Sequence, residues 1–312
     1  MKNMINSCHV EGYIYESGLE LRVSGENSKN PGTEFITGIL NVATDEECIN
    51  IVPVHFTYVT ATTSKGNVNA TFGVLKDIID GKIGTVMTVG KERAGKVRID
   101  SAIGLNEFYS DRSGTEELVS VKRNEGGFVH ITQTLIPDEK ARNTFQADML
   151  ITSARRIEGD PEKNTKDKVI VRGCIFDFRK AMLPVEFSVT NERGMEYFVD
   201  DLNPSTKEPV FTKVWGRQIS QVTTDKRVEE SAWGESHVIE TPTTRRDWII
   251  FGSNPEPYLW DDESTITAAE LTEAMTNRET YLATIKKRQE DYKASKAAAA
   301  GPAIPSTGNF DF

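Results

Sequence analysis

The stretch Val10-Glu11-Gly12-Tyr13-Ile14-Tyr15-Glu16 returns 161 residues later as Val171-Arg172-Gly173-Cys174-Ile175-Phe176-Asp177. Both copies alternate, and successive residues of a β-strand face opposite sides. Val10, Gly12 and Ile14, like Val171, Gly173 and Ile175, fall on one face. Glu11, Tyr13 and Tyr15, or Arg172, Cys174 and Phe176, fall on the other. A chance recurrence of a short V-x-G-x-I string is the alternative. A second pair of anchors argues against it. The strand Ile51–Tyr58 and the strand Pro209–Gln218 align at a shift of 160, with Val54 on Val214 and His55 on Trp215. Two anchors at nearly one offset imply two copies of a small β-domain.

A chain of 312 residues holds two ordinary domains. It is 38% hydrophobic and 27% charged, with mean hydropathy −0.43, which suits a soluble globular protein. No stretch reaches the length of a membrane span, and the N-terminus lacks the apolar core of a signal peptide. Cys8, Cys48 and Cys174 are far apart and odd in number, which fits a reducing, cytoplasmic setting better than a disulfide framework. A net charge of −10 argues against a basic-coated duplex binder. The last 52 residues carry −3 of it, so acid is only partly segregated from the rest.

The order of elements is informative. Residues 8–23 read as one long strand, or a hairpin turning near Ser17-Gly18. Residues 35–43 and 48–60 follow as strands, then a short helix over 71–79, where Phe72, Leu75 and Ile79 share a side. Strands over 97–105, 108–109, 117–121 and 127–132 complete the first half. Long strand, hairpin, short helix and further strands is the order of a five-stranded Greek-key OB barrel. The expected fold is therefore mainly β, with two tandem OB-like Greek-key barrels, a C-terminal helix and a flexible tail. A β-sandwich is the alternative. The expected domains are a first barrel over 1–136, a linker and bridging strand over 137–167, a second barrel over 168–260, a helix over 261–296 and a disordered tail over 297–312. Thr223 to Pro242 is polar and irregular. Thr267 and Glu270 form a capping box. Leu271, Met275, Arg278, Leu282, Ile285, Gln289 and Tyr292 make a narrow seam that predicts docking of the last helix.

Signatures of catalysis are missing: the sequence has no Walker glycine loop, G-x-S-x-G, H-E-x-x-H or C-x-x-C. The adjacent Cys8 and His9 would point to opposite faces, and Asp200-Asp201 reads as turn chemistry. No cofactor, metal or catalytic residue is expected. Converging carboxylates of a metal-dependent nuclease remain open to sequence. Signs of nucleic-acid binding are better represented. Lys213, Trp215 and Arg217 share an outer face, which places an indole between two cations. Tyr13, Tyr15, Phe176 and Phe178 lie on the corresponding face of the motif strands. His55 lies on the third strand. Lys96, Arg98, Lys122 and Arg123 supply further cations. The alternative for Trp215 is a cap beneath a loop or the last helix.

Together these passages resemble the single-stranded DNA-binding proteins, in a divergent form of the kind carried by bacteriophages. Val214-Trp215-Gly216-Arg217-Gln218 is similar to the family's third-strand ending. Val97 to Val121, with Phe108 and Tyr109 before a turn at Asp111-Arg112-Ser113-Gly114, is similar to its last hairpin. The low-complexity tail ending in Phe310-Asp311-Phe312 resembles its partner-binding tip, although the usual acidic run is missing. The resemblance implies non-enzymatic binding of single-stranded DNA in replication, recombination or repair, with Phe108 and Tyr109 among the contacts. It also implies recruitment of replication or repair proteins through Phe310, Asp311 and Phe312. No membrane partner is expected, and homo-oligomerisation stays open. The rival reading is a structural or assembly protein of a viral particle, which accounts better for the acidity.

Overall fold

The computed structural model describes residues 4–26, 28–110, 115–160, 166–229, 237–259 and 266–299, with backbone alone for 221–245 and 297–299. The anticipated turn at 111–114 and the tip Phe310, Asp311 and Phe312 lie outside the described residues.

Ten strands form one continuous sheet that closes on itself twice. In the first ring β1 (Asn6–Val23), β2 (Glu34–Ala43), β3 (Ile51–Thr60), β4 (Lys96–Ser110) and β5 (Glu117–Thr132) pair in the order β1-β2-β3-β5-β4-β1. Only β3 and β5 run parallel, through Val54↔Asn124 and His55↔Glu125. Helix α1 (Ala70–Ile79) lies between β3 and β4. A short helix α2 (Val86–Val89) follows it, with Thr85 and Thr88 capping each other's backbone. The second ring repeats the scheme with β6 (Asn143–Ile157), β7 (Lys168–Phe176), β8 (Met182–Val189), β9 (Val210–Glu229) and β10 (His237–Ser253), in the order β6-β7-β8-β10-β9-β6. Here β8 and β10 are the parallel pair, through Ile249↔Ser188. Helix α3 (Glu192–Glu196) and a π-turn over Tyr197–Asp201 occupy the position of α1. Closed five-stranded rings of this order are OB barrels rather than a sandwich.

Duplication is present, but its frame differs from the sequence expectation. The strand read as a bridge, β6, pairs with β7 and β9 as the first strand of the second ring, and also with β1 (Asn6↔Ala147 to Val10↔Asn143). The counterpart of β1 is therefore β6, and that of β3 is β8. The near-repeat, which aligns β1 with β7 and β3 with β9, is offset by one strand. The polar run from Thr223 continues the ladder, with Thr223↔Thr243 to Glu229↔His237 extending β9 and β10 into a long hairpin. Likewise β4 and β5 are each a single long strand, not pairs of short ones.

Alternation assigned the core faces correctly. Val10, Ile14, Val52, Val54 and Phe56 fill the first core, closed from below by Phe72, Leu75 and Ile78 of α1. Val171, Ile175 and Val214 join Phe145, Phe187, Phe198 and Trp248 in the second. Cys8 of β1 and Ile103 of β4 also belong to this second core, so the barrels share apolar contact.

Helix α4 (Ala268–Ala299) starts at the expected capping box: the Glu270 amide donates to Thr267 Oγ1 at 3.3 Å and the Thr267 amide to Glu270 Oε2 at 3.1 Å. It docks as the seam implied, although Met275 and Tyr292 are exposed and Ala274 takes the buried place. Ala274 and Leu271 close a third apolar cluster with Leu150, Cys174, Phe176, Phe211 and Ile266. Farther along, Arg278 pairs with Glu107 of β4, and the Gln289 amide brackets the Tyr109 backbone, accepting from its N–H at 3.0 Å and donating to its carbonyl at 2.7 Å. The helix thus ties the long β4–β5 hairpin of the first barrel to the flank of the second.

Candidate functional site

Third and fifth strands of both barrels converge on one open cleft of about 470 Å³. Pro53 and His55 come from β3 and Lys122, Arg123 and Asn124 from β5. Across from them stand Glu186 and Ser188 of β8 with Arg246 and Asp247 of β10, and Lys168 of β7 lies alongside. The parallel pairing of third with fifth strand in each ring brings these side chains to one wall per barrel.

Two buried amides lie at the junction of the walls. Asn124 and Gln218 exchange hydrogen bonds of 2.8 and 2.6 Å, and Asn124 also donates to the Pro53 carbonyl at 3.1 Å. Asn143 donates to the Gln218 carbonyl at 2.6 Å, and the Ser220 amide donates to Asn50 Oδ1 at 2.7 Å. Buried amides need such partners, and satisfied networks fix a unique geometry.

Four cations face two carboxylates on the walls. Arg123 is held by Glu125 through Nε at 2.7 Å, and Asp247 accepts from the Ser188 hydroxyl and the Trp248 amide, each at 2.8 Å. Lys122 reaches the Glu186 carbonyl, with its ammonium 4.8 Å from the Phe187 ring centroid. Burial lowers its pKa to about 8, against the opposing pull of Glu186 and Asp247. Burial also lowers the pKa of His55, helped by Arg123. Arg246 is exposed.

A second group of residues lies on the outside of the second barrel. On β9, Lys213, Trp215 and Arg217 point outward as expected, with Val214 inward. Among the described residues Trp215 keeps 39% of its surface exposed. Its indole lies against Gly252 of β10, where a Cβ would meet the ring at 2.6 Å. Arg217 sits 5.1 Å from the ring centroid of Phe251, itself 47% exposed.

The remaining sequence candidates are not gathered with these. Tyr13 is buried: its hydroxyl donates to Glu46 at 2.9 Å, and Lys91 and Lys96 lie over its ring, so neither Tyr13 nor Lys96 is presented as expected. Tyr15 is half-buried, and Arg98 is exposed beside Asp100 at 3.5 Å. Phe176 points out of the barrel but is fully buried beneath α4, because the helix covers that face. Tyr109 is engaged by Gln289, while Phe108 is exposed. Arg172 pairs with Glu186 at 3.1 Å, and Phe178 is 87% exposed after β7 with Arg179 over its ring. The alternation rule gave the parity of these residues but not what lies on top of them. It passed over Lys168, Arg246 and Phe251. Phe251 sits in a strand noted only for its aromatics, where parity opposite to the core residues Trp248 and Ile250 could have flagged it, whereas Arg246 shares the parity of those core residues.

Among the described residues no group of three or more His, Cys, Asp or Glu is placed to hold a metal ion. No described helix is long and apolar enough to cross a membrane.

The YorF family profile matches residues 5–288, and the chain belongs to that family. No curated protein matches it in sequence. Among solved structures it is similar to a deletion mutant of the single-stranded DNA binding protein from Thermus aquaticus. That likeness has 11% identity and a TM-score of 0.47, and covers 85% of this chain and all of that one.

Proposed function

We propose that the chain binds single-stranded DNA without chemically altering it, in replication, recombination or repair. The observation that carries this reading is the cleft itself. OB barrels bind oligonucleotides on the face of their second and third strands and on the loop joining the fourth and fifth. Here the third strands of two barrels, β3 and β8, look into one cleft, with the bases of both fourth-to-fifth hairpins beside them. Lys122, Arg123, Lys168 and Arg246 outnumber the carboxylates there although the whole chain carries −10. That is the local segregation of charge that a backbone of phosphates needs.

Fluorescence anisotropy with labelled oligo-dT at low salt tests the reading. Binding should weaken with added salt, because phosphate contacts release counterions. Arg123→Ala with Arg246→Ala should weaken it at least tenfold, as about 1 kcal/mol or more is expected from each charged contact. No binding by the unaltered protein at low salt sinks the proposal.

A further inference from the structure

We infer that a strand leaving the cleft continues along the outside of β9 onto a second platform made by Arg217, Trp215 and Phe251. This inference rests on the single-stranded DNA reading of the cleft and extends it to a face made by the first, fourth and fifth strands of the second barrel.

Four observations carry it. First, the two hollows adjoin. Ile219 lines both the inter-barrel cleft and a smaller hollow of about 190 Å³. Arg217 lines that hollow, and Trp215 follows on the same side of β9, because alternate strand residues share a face. Second, the chemistry is suited to bases and phosphates together. Trp215 and Phe251 expose ring surface, and Arg217 stands over Phe251. Aromatic faces accept any base, and an arginine beside them accepts the backbone. Third, Arg217 Nε is buried and has no hydrogen-bond partner among the described residues. An unpaired guanidinium donor is a costly feature to leave in a folded protein and marks a place for an anion. Fourth, the carboxylates at the hollow are already engaged. Asp45 accepts from the amides of Ile49 and Asn50, and Glu139 from the amide of Glu46. They are held by backbone donors and do not ion-pair with Arg217.

The platform ends where β9 passes beneath Tyr258. Phe211, two positions beyond Lys213, is buried against the Tyr258 ring at 5.1 Å. Along the outer row of β9, Ile219, Arg217 and Lys213 are half-buried and Trp215 is exposed, and the row is covered beyond Lys213 at Phe211.

Anisotropy with oligo-dT of increasing length separates this inference from the reading beneath it. The unaltered protein should gain affinity once the oligonucleotide is long enough to leave the cleft. A Trp215→Ala, Phe251→Ala double variant should keep the affinity for short oligonucleotides and lose about five- to a hundredfold on long ones. Equal binding of long oligonucleotides by the double variant overturns the inference, as does an equal loss at every length. Absence of binding by the unaltered protein at any length overturns instead the assignment of the cleft. Photocrosslinking of a long 5-iodouracil oligonucleotide to the unaltered protein needs no variant to fold. Adducts at Trp215 or Phe251 are expected, and adducts confined to other residues overturn the path.

Discussion

Asn124 of the first barrel and Gln218 of the second satisfy each other's side-chain amides, with Nδ2 to Oε1 at 2.8 Å and Nε2 to Oδ1 at 2.6 Å, both residues buried. The pair lies at the root of the cleft and joins strands from different rings. Removing one partner leaves the other amide buried without its bonds, at about 1–3 kcal/mol. Asn124→Ala and Gln218→Ala should each destabilise by that amount in urea denaturation. The double variant should lose clearly less than the sum, since the bond is lost only once. Strict additivity would show that the two amides do not act as a pair.

The near-repeat at Gly12 and Gly173 has a physical cause other than the one its alignment suggests. A Cβ on Gly12 of β1 would stand 2.0 Å from the Ala43 carbonyl of β2, and a Cβ on Gly173 of β7 2.0 Å from the Leu150 carbonyl of β6. Each glycine marks the close crossing of the first and second strands of its barrel, one from the first strand and one from the second. Gly12→Ala and Gly173→Ala should therefore both be severely destabilising, by about 3 kcal/mol or more, because backbone rather than a mobile side chain must yield. A thermal melt within about 2 °C of the unaltered protein for either variant contradicts the crossing geometry.

The same pair shows what could be read from sequence. Alternation gave inward and outward faces for Val10, Ile14, Val171, Ile175, Val54 and Val214, and the strand order gave the barrels. The assignment of β6 failed because one strand serves both barrels. In sequence it lies between a linker and a charged loop and so reads as a bridge, and its pairing with β1, β7 and β9 is a long-range fact that no local pattern carries. Of the site, His55 was legible as an outward ring on the third strand, and Lys122 and Arg123 as cations of the first half. Arg246 and Lys168 were not, because they belong to the cleft only through the way the barrels face each other. Phe176 and Tyr13 misled for the opposite reason: outward from a barrel is not the same as open to solvent when α4 or Lys91 and Glu46 lie above.

Arg278 and Glu107 form the most enclosed ion pair joining α4 to the rest of the described chain, with the Glu107 side chain only 1% exposed. Arg278→Ala strands that carboxylate, and a buried pair broken on one side costs about 3–5 kcal/mol. The Arg278→Met, Glu107→Met double variant should recover most of the loss, because similar apolar volume replaces both charges. Denaturation midpoints measure both. A single variant as stable as the parent would show that α4 does not hold the hairpin through this pair.

Glu46 accepts from Lys91 and Arg142, which hold its pKa down at about 2, well below the usual carboxylate value, and Tyr13 donates to it as well. A carboxylate with a depressed folded pKa contributes stability that is full above its unfolded value near 4.5 and is lost as pH falls toward 2. Because its side chain is 45% exposed, screening leaves about 1 kcal/mol. Glu46→Gln should lower stability by that amount at pH 7 and by almost nothing at pH 2. An undiminished difference at pH 2 would rule out the ionised carboxylate as the source.

Lys122 makes the cleft sensitive to pH in the opposite range. Its folded pKa of about 8 lies below the ordinary value of 10.5, so the folded chain binds fewer protons than the unfolded one between them. Stability contributed by this residue accordingly rises with pH from about 8 to 10.5, while its charge on the cleft wall disappears. Glu186 and Asp247 favour the ammonium and Lys168 opposes it. Attraction for phosphate should therefore weaken as pH passes 8, although the fold does not. Oligo-dT affinity is expected to drop about three- to tenfold from pH 7 to pH 9, roughly the worth of one phosphate contact. In a Lys122→Met variant the drop should be absent, and the slope of log affinity against log salt should be smaller by about 1 at pH 7 but not at pH 9. A parent whose affinity is flat across this range, or a variant that keeps the step, would remove Lys122 from the phosphate contacts and leave its ammonium a purely structural partner of the Phe187 ring and the Glu186 carbonyl.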